Sequence, residues 1–363
     1  MAKTLKLAPT LRRFSKPEEI RGIIDRNEIA TLSLRLPTPC NLDCLDCYGT
    51  PKTYKELKQK GDHLTYSELL DVIDQASELG LKSVSIVGDG EPTLYRAEHN
   101  GETRTIEDLI AYINSKGAHV MMFTNAIPIN EEMVRRLFEL DLAIIGKQNS
   151  LNPEVQNKLV GHKRGYGLLM MALEYLKEAG FNKVNPTRLA IHTIIDRPNF
   201  DEIPELWRQW RKENIIPYAQ VTVPPRSGTP EYEKFVRYHF VELGRVADLV
   251  SRLRTIDKEE FGYYWEPGKE YPIIGLGCSV VLTGFGIAPN GNVQLCAYTE
   301  DPKGNVRKQR LKDILNSQEV QRIRHHNYGG EDGFNYGCRA LTFNETGDRF
   351  AKDPMQRKIE VKK

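Results

Sequence analysis

The stretch ATLSLRLPTPCNLDCLDC (residues 30–47) joins a short β-rich run to a loop that carries three cysteines. Cys40, Cys44 and Cys47 follow one another at spacings of four and three residues. They cannot all pair with one another as disulfides, and they are one short of the four ligands of a closed zinc site. The loop therefore predicts a centre with room for one ligand that does not come from the protein.

The composition is that of a globular protein without an evident polyanionic or lipid partner. Of 363 residues, 40% are hydrophobic, and 51 Lys and Arg nearly balance 49 Asp and Glu, so the bulk charge favours neither nucleic acid nor a membrane. No apolar run is long enough to cross a bilayer, and the charged N-terminal stretch lacks the apolar core of a signal peptide. We therefore expect a cytoplasmic protein, in which clustered, reduced cysteines serve as metal ligands or catalysts.

From residue 31 to about residue 225, β-rich runs alternate with amphipathic helical patterns. The predicted strands are 30–36, 82–88, 119–125, 142–148, 188–195 and 218–223, and the predicted helices between them are 65–80, 105–117, 130–140, 166–180 and 200–214. Apolar strands that alternate with helices of this length are typical of a parallel sheet with crossover helices. Because six strands are too few to close an eight-stranded barrel, we predict an α/β fold with a partial (β/α)6 TIM-like barrel; a doubly wound sheet is the alternative.

The pattern changes after residue 228, which divides the chain. The predicted regions are an N-terminal extension (1–29), the partial barrel (30–228), a helical bridge (229–265), a small C-terminal α+β domain (266–350) and a polar tail (351–363). In the C-terminal domain, GFGIAPNGNVQLC (284–296) predicts a hairpin whose two-residue turn is Asn290-Gly291.

The cysteine loop follows the first predicted strand, and chemistry in parallel α/β barrels collects at the C-terminal ends of the strands. A cubane [4Fe–4S] cluster has iron corners that bind thiolates. Three cysteines on one short loop can hold three corners and leave the fourth to a small chelating ligand. The alternative is a zinc site completed by a remote residue, with His63 as the nearest histidine.

Two motifs together resemble the radical S-adenosylmethionine (SAM) superfamily: Cys40-x3-Cys44-x2-Cys47 after the first strand, and GDGEP (88–92) after the second. The resemblance covers residues 30 to 225 and implies that SAM chelates the open iron through its amino and carboxylate groups. One electron from the reduced cluster then cleaves SAM to methionine and a 5′-deoxyadenosyl radical, which abstracts a hydrogen atom from the substrate. The protein's part is to place the cofactors and to exclude water and oxygen.

The resemblance also suggests residues of the cofactor site. In the family, the GDGEP stretch contacts the methionine part of SAM, which assigns Gly88, Gly90 and Glu91 to cofactor binding; glycines let a backbone approach a ligand closely. Further polar residues are expected at the same mouth because they follow later strands: Thr124, Asn125, residues 147–150, His192, Thr193 and Arg226. Asn125 and Ser150 are the first candidates among them.

The cysteine motif departs from the family pattern at one position. Family members usually place an aromatic or apolar residue before the third cysteine, where it packs on the adenine. Here Asp46 stands at that position, and Tyr48 follows Cys47. Tyr48 is therefore the candidate for stacking on the adenine.

Cys278, Cys296 and Cys338 form a second group of cysteines. The region around them resembles the auxiliary-cluster extension of the same superfamily, called SPASM in its full form and twitch in its shortened form. The full form carries more cysteines and holds two clusters, so three cysteines favour the shortened form with one auxiliary [4Fe–4S] cluster.

The fourth ligand of that cluster is open, because the position at which a family member carries a fourth cysteine is Leu341 here. Asp332 or a nearby histidine could complete it, or it could be left for the substrate. We expect the substrate, because an open iron can act as a Lewis acid. The alternatives to a cluster are a Cys3His zinc site with His325 or His326, or three unrelated buried cysteines.

We therefore predict a radical SAM enzyme with a core and an auxiliary [4Fe–4S] cluster that dehydrogenates, epimerises, decarboxylates or cyclises a small molecule. Its expected partners are that substrate and an electron donor such as flavodoxin or ferredoxin, without nucleic acid or membrane. Only 39 residues precede Cys40, too few for a separate peptide-recognition domain. A peptide-modifying maturase is the first alternative, and a zinc-stabilised binding protein without catalysis is the second.

Overall fold

The computed structural model describes residues 3–4, 17–45, 47, 62–223, 233, 237–265, 273–274, 278–296, 301–326 and 338–353. The predictions for Asp46, Tyr48, Arg226 and Asp332 and for the tail beyond residue 353 lie outside the described residues.

The described strands form one large sheet and two small ones. They are β1 Lys3–Thr4, β2 Thr31–Leu36, β3 Ser83–Gly88, β4 Arg96–His99, β5 Glu102–Thr105, β6 His119–Thr124, β7 Leu142–Lys147, β8 Leu189–Ile195, β9 Ile216–Val221, β10 Tyr263–Tyr264, β11 Ile273–Ile274, β12 Gly284–Ile287, β13 Asn292–Gln294 and β14 Gly304–Asn305. The large sheet has the order β11-β9-β8-β7-β6-β3-β2-β12-β13-β14, and β1-β10 and β4-β5 are separate pairs.

The order of the large sheet decides between the two predicted architectures. Its central strands β2, β3, β6, β7, β8 and β9 lie side by side in chain order, and each pair is parallel. A doubly wound sheet would instead reverse its strand order at a switch point. The prediction of a partial barrel is therefore confirmed. The last predicted strand was placed two residues too late: β9 spans Ile216–Val221 rather than 218–223.

Helices lie between the successive strands of the barrel, and further helices lie in the N-terminal and C-terminal regions. They are α1 Pro17–Asp25, α2 Tyr66–Glu78, α3 Ile106–Ser115, α4 Glu131–Glu139, α5 Pro153–Leu159, α6 Gly165–Glu178, α7 Ile203–Lys212, α8 Leu243–Phe261, α9 Val280–Thr283, α10 Leu311–Leu315, α11 Gln318–Arg324 and α12 Arg339–Thr346. Thr65 and Asn130 cap α2 and α4 by accepting hydrogen bonds from Glu68 N and Met133 N, as their positions predict. In the described segments, none of these helices combines the length and apolarity needed to cross a membrane.

The two faces of the sheet bury different residues. Leu32, Leu34 and Leu36 of β2 face the helices and belong to the main core. The alternate positions face the inside of the barrel, since successive side chains of a strand point to opposite sides. A small apolar cluster fills part of this inner face, with members Met121, Ala143, Ile145, Ala190, Ile216 and Tyr218.

The C-terminal region continues the sheet of the barrel. Strand β12 pairs in parallel with β2, with Gly284 opposite Thr31 and Gly286 opposite Ser33. A Cβ atom on Gly284 would lie 1.8 Å from the carbonyl oxygen of Thr31, so this contact requires glycine. Nothing in the sequence pattern indicated that the C-terminal unit adds strands to the barrel.

The predicted hairpin forms, but with a longer connection. Strands β12 and β13 are antiparallel, and Ile287 pairs with Val293. Ala288 N donates to Asn292 O at 2.9 Å, so the connection is the three residues from Pro289 to Gly291, and Gly291 N closes the turn by donating to Ala288 O at 2.9 Å. The predicted two-residue turn is therefore wrong: Asn290 and Gly291 are the second half of the turn, where Gly291 adopts a φ of 84°.

Candidate functional site

The cysteine loop leaves the C-terminal end of β2 and rests against the GDGEP strap (residues 88–92). Backbone N–H groups at positions 89 and 91 donate to the carbonyls of Leu36 and Pro39 at 3.2 and 3.0 Å. A Cβ atom on Gly90, whose φ is 154°, would lie 1.9 Å from the carbonyl oxygen of Thr38. The sequence suggested that Gly90 is glycine so that a ligand can approach; in the structure, the chain segment that approaches it most closely leads to Cys40.

The far side of the cysteine loop rests on the end of α5. Asp43 N donates to Val160 O at 3.2 Å, and Leu45 N donates to Leu159 O at 3.0 Å. Gly161, with a φ of 65°, allows this approach, because a Cβ atom there would lie 2.2 Å from Asp43 O. The loop is therefore fixed at both ends by backbone contacts, which preorganises the three thiols.

The three thiols of this loop differ in exposure. Cys40 and Cys44 are half-buried and Cys47 is exposed, and all three are free of disulfides. Burial raises the pKa of Cys40. The side-chain amide nitrogen of Asn125 lies 4.0 Å from Cys40 Sγ and donates to Asn41 Oδ1 at 2.8 Å. Asn125, predicted from its place at a strand end, therefore contacts the cysteine loop directly.

Glu91 connects the strap to the end of β6. Its carboxylate is buried and accepts hydrogen bonds from Thr93 N at 3.0 Å, Thr93 Oγ1 at 2.7 Å, Thr124 Oγ1 at 2.5 Å and Asn125 N at 2.7 Å. Burial raises its pKa, and these hydrogen bonds oppose that rise. The carboxylate thus holds the strap and the residue beside Cys40 in a fixed relation.

Ser150 lies apart from this cluster. It is fully buried, and its hydroxyl donates to Glu202 Oε2 at 2.8 Å. Thr193 Oγ1 donates to the carbonyl of Gln148 at 2.7 Å. The structure thus brings Thr124, Asn125 and Glu91 to the cysteine loop. It places Ser150 in contact with Glu202, and Thr193, which lies within β8, in contact with Gln148. A cofactor role for Ser150 stays a prediction.

The inner face of the barrel also carries polar side chains. His192 Nε2 and Gln220 Oε1 are 2.9 Å apart. Arg35 donates to Asp89 Oδ1 at 2.8 Å through Nη2, and its Nη1 reaches Gln294 Oε1 at 3.4 Å. Neither Arg35 nor Asp89 was a predicted site residue. The signal for Arg35 was a charge within the apolar strand TLSLRL.

Cys278, Cys296 and Cys338 also come together in the structure. Cys338 precedes α12 and is buried, while the other two are half-buried. Burial and then the neighbouring Cys278 and Cys296 raise the pKa of Cys338 well above its usual value. A cavity borders this group, lined by Val281, Leu295, Cys296, Ile323, Arg339, Phe343 and Arg349. The candidate ligands His325 and His326 are both exposed, and His326 packs its ring on Phe350.

The two cysteine groups lie at opposite ends of β2. Gln294 of β13 pairs with Gly286, which pairs with Ser33. Because β13 runs antiparallel to β12, Cys296 lies level with the N-terminal end of β2, whereas Cys40 lies beyond its C-terminal end. The six residues of β2 span roughly 20 Å. The inner face of the barrel therefore runs between the two groups.

The chemistry of the donor sets fits iron–sulfur clusters. Each group consists of three free thiols, and a cubane takes one thiolate on each iron. Among the described residues, no group of three or more His, Cys, Asp or Glu side chains is arranged to hold a metal ion.

Comparison with known protein families matches both regions of the chain. The radical SAM superfamily model matches residues 36–209, and the SPASM model, an iron–sulfur cluster-binding domain, matches residues 278–339. The first range contains the cysteine loop and the strap, and the second contains all three later cysteines. The two families imply a core cluster, an auxiliary [4Fe–4S] cluster and bound SAM.

Two curated relatives come from Methanosarcina barkeri (strain Fusaro / DSM 804). The AdoMet-dependent heme synthase is 22% identical over 352 residues, which is 89% of this chain and 95% of the relative. The Fe-coproporphyrin III synthase is 25% identical over 219 residues, which is 60% of this chain and 46% of the relative. The chain thus spans less than half of the length of the second relative.

Solved structures show the same fold. SuiB of Streptococcus suis bound to S-adenosylmethionine superposes with a TM-score of 0.66 at 16% identity, covering 91% of this chain and 77% of SuiB. The same protein bound to its precursor peptide SuiA gives a TM-score of 0.63 at 15% identity, covering 93% and 78%. The parallel barrel, the cysteine loop after its first strand and both family matches agree: this chain carries a radical SAM domain and a SPASM iron–sulfur region.

Proposed function

We propose that this radical SAM enzyme abstracts a hydrogen atom from a small molecule held on the inner face of the barrel, between the two clusters. The observation that carries this proposal is the location of the two cysteine groups at opposite ends of β2, with polar side chains on the barrel wall between them. A substrate there lies within reach of both ends. The core cluster at the C-terminal end of β2 would supply the radical, and the auxiliary cluster at the N-terminal end would accept an electron.

Cys40, Cys44 and Cys47 would hold three irons of the core cluster, and SAM would occupy the fourth. When bound and reduced, this pair supplies the 5′-deoxyadenosyl radical. The strap, held against the cysteine loop by the contacts at Gly90 and Glu91, positions the methionine part of SAM. The Asn125 amide, 4.0 Å from Cys40 Sγ, can donate to that sulfur and stabilise its negative charge. Gly88, Tyr48 and Ser150 stay candidates from the sequence alone.

Cys278, Cys296 and Cys338 would hold the auxiliary cluster. Hydrogen abstraction leaves one unpaired electron on the substrate, and oxidation then requires an acceptor for that electron. The auxiliary cluster at the opposite end of β2 can take it. Cys47 is exposed, so an external donor such as flavodoxin or ferredoxin can approach the core cluster from that side. The cytoplasmic location inferred from reduced cysteines stays a prediction.

The inner face suggests which chemical groups the substrate carries. His192 and Gln220 form one hydrogen-bonding pair, and Lys147 ends the adjacent strand β7 with a half-buried side chain. These groups can orient polar or carboxylate substituents. The heme synthase relative, matched over 95% of its length, makes a tetrapyrrole the first substrate class to test. A precursor peptide is the second, because the fold is shared with SuiB bound to SuiA.

Anaerobic turnover tests the proposal. The reconstituted enzyme with SAM and dithionite is given either Fe-coproporphyrin III or a panel of short peptides, and 5′-deoxyadenosine is quantified. We expect formation to rise at least about tenfold with the tetrapyrrole, and deuterium from labelled substrate to appear in 5′-deoxyadenosine. Stimulation by peptides alone would favour the maturase alternative. His192→Ala and Gln220→Ala should raise the KM for the substrate without preventing cluster assembly.

A further inference from the structure

The described part of the cysteine loop lies against a basic segment, residues 158–164 (KLVGHKR). Leu45 N donates to Leu159 O at 3.0 Å, and Asp43 N donates to Val160 O at 3.2 Å. The segment joins the end of α5 to the start of α6. Because α6 leads from the C-terminal end of β7 to the N-terminal end of the parallel strand β8, its first residues lie at the end of the barrel where the cysteine loop also lies.

The basic segment exposes three cations. Lys158, Lys163 and Arg164 are exposed, and among the described residues none of the three takes part in an ion pair. The stretch from residue 155 to residue 167 contains no Asp or Glu. Asp43 is the exposed carboxylate of the described loop that lies against it. Positive charge therefore predominates where these two segments meet.

An exposed apolar side chain lies next to these cations. Leu45 is 58% exposed, the highest value among the large hydrophobic residues of the described chain, and it stands between Cys44 and Cys47 in the sequence. A single exposed leucine needs no explanation by itself. Here it adjoins both the exposed Cys47 and the basic segment. A small apolar centre with a charged rim is the pattern of a weak, transient redox interface.

We propose that Leu45 and the basic segment form the docking surface for an acidic one-electron donor protein of the flavodoxin type. The inference rests on the proposed function, since it requires a core cluster at Cys40, Cys44 and Cys47. One electron passes from the anionic flavin hydroquinone of the donor to the oxidised core cluster. This leaves a neutral flavin semiquinone and a cluster reduced by one electron, and no proton moves.

The location of the surface favours this occupant over a substrate. The proposed function places the substrate on the inner face of the barrel, whereas Lys158, Lys163 and Arg164 are exposed beside the loop that carries the thiols. A protein with clustered carboxylates can contact all three cations at once, which speeds association and orients the donor. Electron transfer slows steeply with distance, so a donor docked beside Cys47 reduces the core cluster faster than one docked elsewhere.

The test compares two double variants that change the net charge equally. Lys158→Glu/Lys163→Glu alters the basic segment, and Lys212→Glu/Lys183→Glu is the matched control. Lys212 lies in the last turn of α7 as Lys158 lies in the last turn of α5, and both control lysines are exposed. They precede β9 and β8 and therefore lie at the opposite end of the barrel.

Each reconstituted protein is mixed anaerobically with fully reduced flavodoxin, and the reduced core cluster is followed by freeze-quench electron paramagnetic resonance. The change of its signal on addition of SAM distinguishes it from the auxiliary cluster. We expect the rate of reduction to fall at least about tenfold in Lys158→Glu/Lys163→Glu and to stay within about twofold of wild type in the control. Added salt should slow reduction of the wild type and have little effect on the first variant.

Two further measurements separate docking from other roles. Dithionite is small and needs no docking surface, so with dithionite both double variants should cleave SAM at about the wild-type rate. Carbodiimide joins lysines to carboxylates in contact, so mass spectrometry of wild type cross-linked to flavodoxin should identify peptides that contain Lys158 or Lys163.

Three outcomes would overturn the docking surface and leave the proposed function in place. They are equal reduction of the two double variants by flavodoxin, cross-links to other lysines alone, and an equal loss of SAM cleavage by Lys158→Glu/Lys163→Glu with dithionite, which would assign these lysines to SAM or substrate. If the wild type itself cleaves no SAM with dithionite, the proposed function fails, and the docking surface with it.

Discussion

The backbone N–H of Asn125 donates to Oε2 of Glu91 at 2.7 Å, and this hydrogen bond joins the residue after β6 to the residue that follows the glycines of the strap. The other carboxylate oxygen accepts from Thr93 and Thr124. All four groups around the Glu91 carboxylate are hydrogen-bond donors, so both atoms at the end of this side chain must be acceptors. The Asn125 side chain, fixed in this way, reaches the cysteine loop.

Glu91→Gln should therefore be destabilising although it preserves shape. The new amide nitrogen faces donors, which leaves a buried donor without an acceptor and costs about 1–3 kcal/mol. The strap and Asn125 should shift, and SAM binding should weaken. Urea unfolding and equilibrium dialysis with labelled SAM measure the two effects. Glu132→Gln, an exposed carboxylate paired with Arg136 on α4, should change neither by much. If the two variants had the same stability and the same affinity for SAM, Glu91 would not be the residue that holds the strap and Asn125 in place.

Gly90→Ala should displace the cysteine loop. The new methyl group would overlap the carbonyl of Thr38, and its φ of 154° is unfavourable for alanine. We expect the core cluster to be lost while the auxiliary cluster is retained, so that iron and sulfide per chain fall by about half. Gly167→Ala, at a helical glycine with open space around it, is the control and should be neutral or slightly stabilising. Full iron content in Gly90→Ala would show that the strap does not fix the loop.

Cys44→Ala should abolish reductive cleavage of SAM. The loop has no other thiol to replace the lost ligand, and its backbone contacts to α5 prevent a large rearrangement. 5′-Deoxyadenosine formed under dithionite measures the loss. Cys296→Ala should instead retain SAM cleavage and lose turnover of the substrate. Continued 5′-deoxyadenosine formation by Cys44→Ala would contradict the assignment of the loop.

Much of the barrel could be predicted because its signals are local. Each strand and the helix after it lie close together in the sequence, and parallel β/α alternation places such strands side by side. The position of the cysteine loop follows from that order. Thr65 and Asn130 were recognisable as caps from their own neighbours.

The missed features depend on contacts between distant parts of the chain. Strand β12 pairs with β2 across roughly 250 residues of sequence, and the sequence of neither strand specifies which strand it pairs with. The same holds for Gly90, whose closest neighbour is Thr38, and for Ser150, which bonds to Glu202.

Acid should weaken the contact between α2 and the C-terminal region. The hydrogen bond from Arg307 lowers the pKa of Glu68 from 4.5 to about 2, and their closest atoms are 2.6 Å apart. Because the folded pKa lies below the unfolded value, the stabilisation is present above about pH 4.5 and is lost as the pH falls toward 2. Glu68 is one-third exposed, so solvent screening limits the effect to about 1 kcal/mol.

The measurement compares urea midpoints of the cluster-free chain and of Glu68→Gln at pH 7 and pH 3. The difference between the two proteins should be largest at pH 7 and shrink at pH 3. Glu98→Gln, which removes an exposed carboxylate from β4, is the control. A gap between wild type and Glu68→Gln that is independent of pH would contradict an ionised contact.

Asp257→Asn should be the most destabilising of these substitutions outside the cluster sites. Asp257 of α8 is fully buried and accepts from Trp207 Nε1 at 2.7 Å, Trp265 Nε1 at 2.6 Å, Arg211 Nε at 2.8 Å and Arg211 Nη2 at 2.6 Å. The amide would turn an acceptor into a donor and leave the Arg211 charge uncompensated, which costs about 3–5 kcal/mol.

The control for Asp257 lies one turn along the same helix. Glu260 pairs with Arg208 at 2.7 Å, but its side chain is 41% exposed, so Glu260→Gln should cost less than about 1 kcal/mol. Urea unfolding followed by tryptophan fluorescence reports both variants, since Trp207 and Trp265 lie at the affected site. Because α8 packs on α7, whereas the described part of the cysteine loop rests on the strap and on the end of α5, SAM cleavage by the folded fraction of Asp257→Asn should stay near that of the wild type. A loss of SAM cleavage at unchanged stability would instead place Asp257 in the functional site, because a purely structural residue should affect cleavage only through stability.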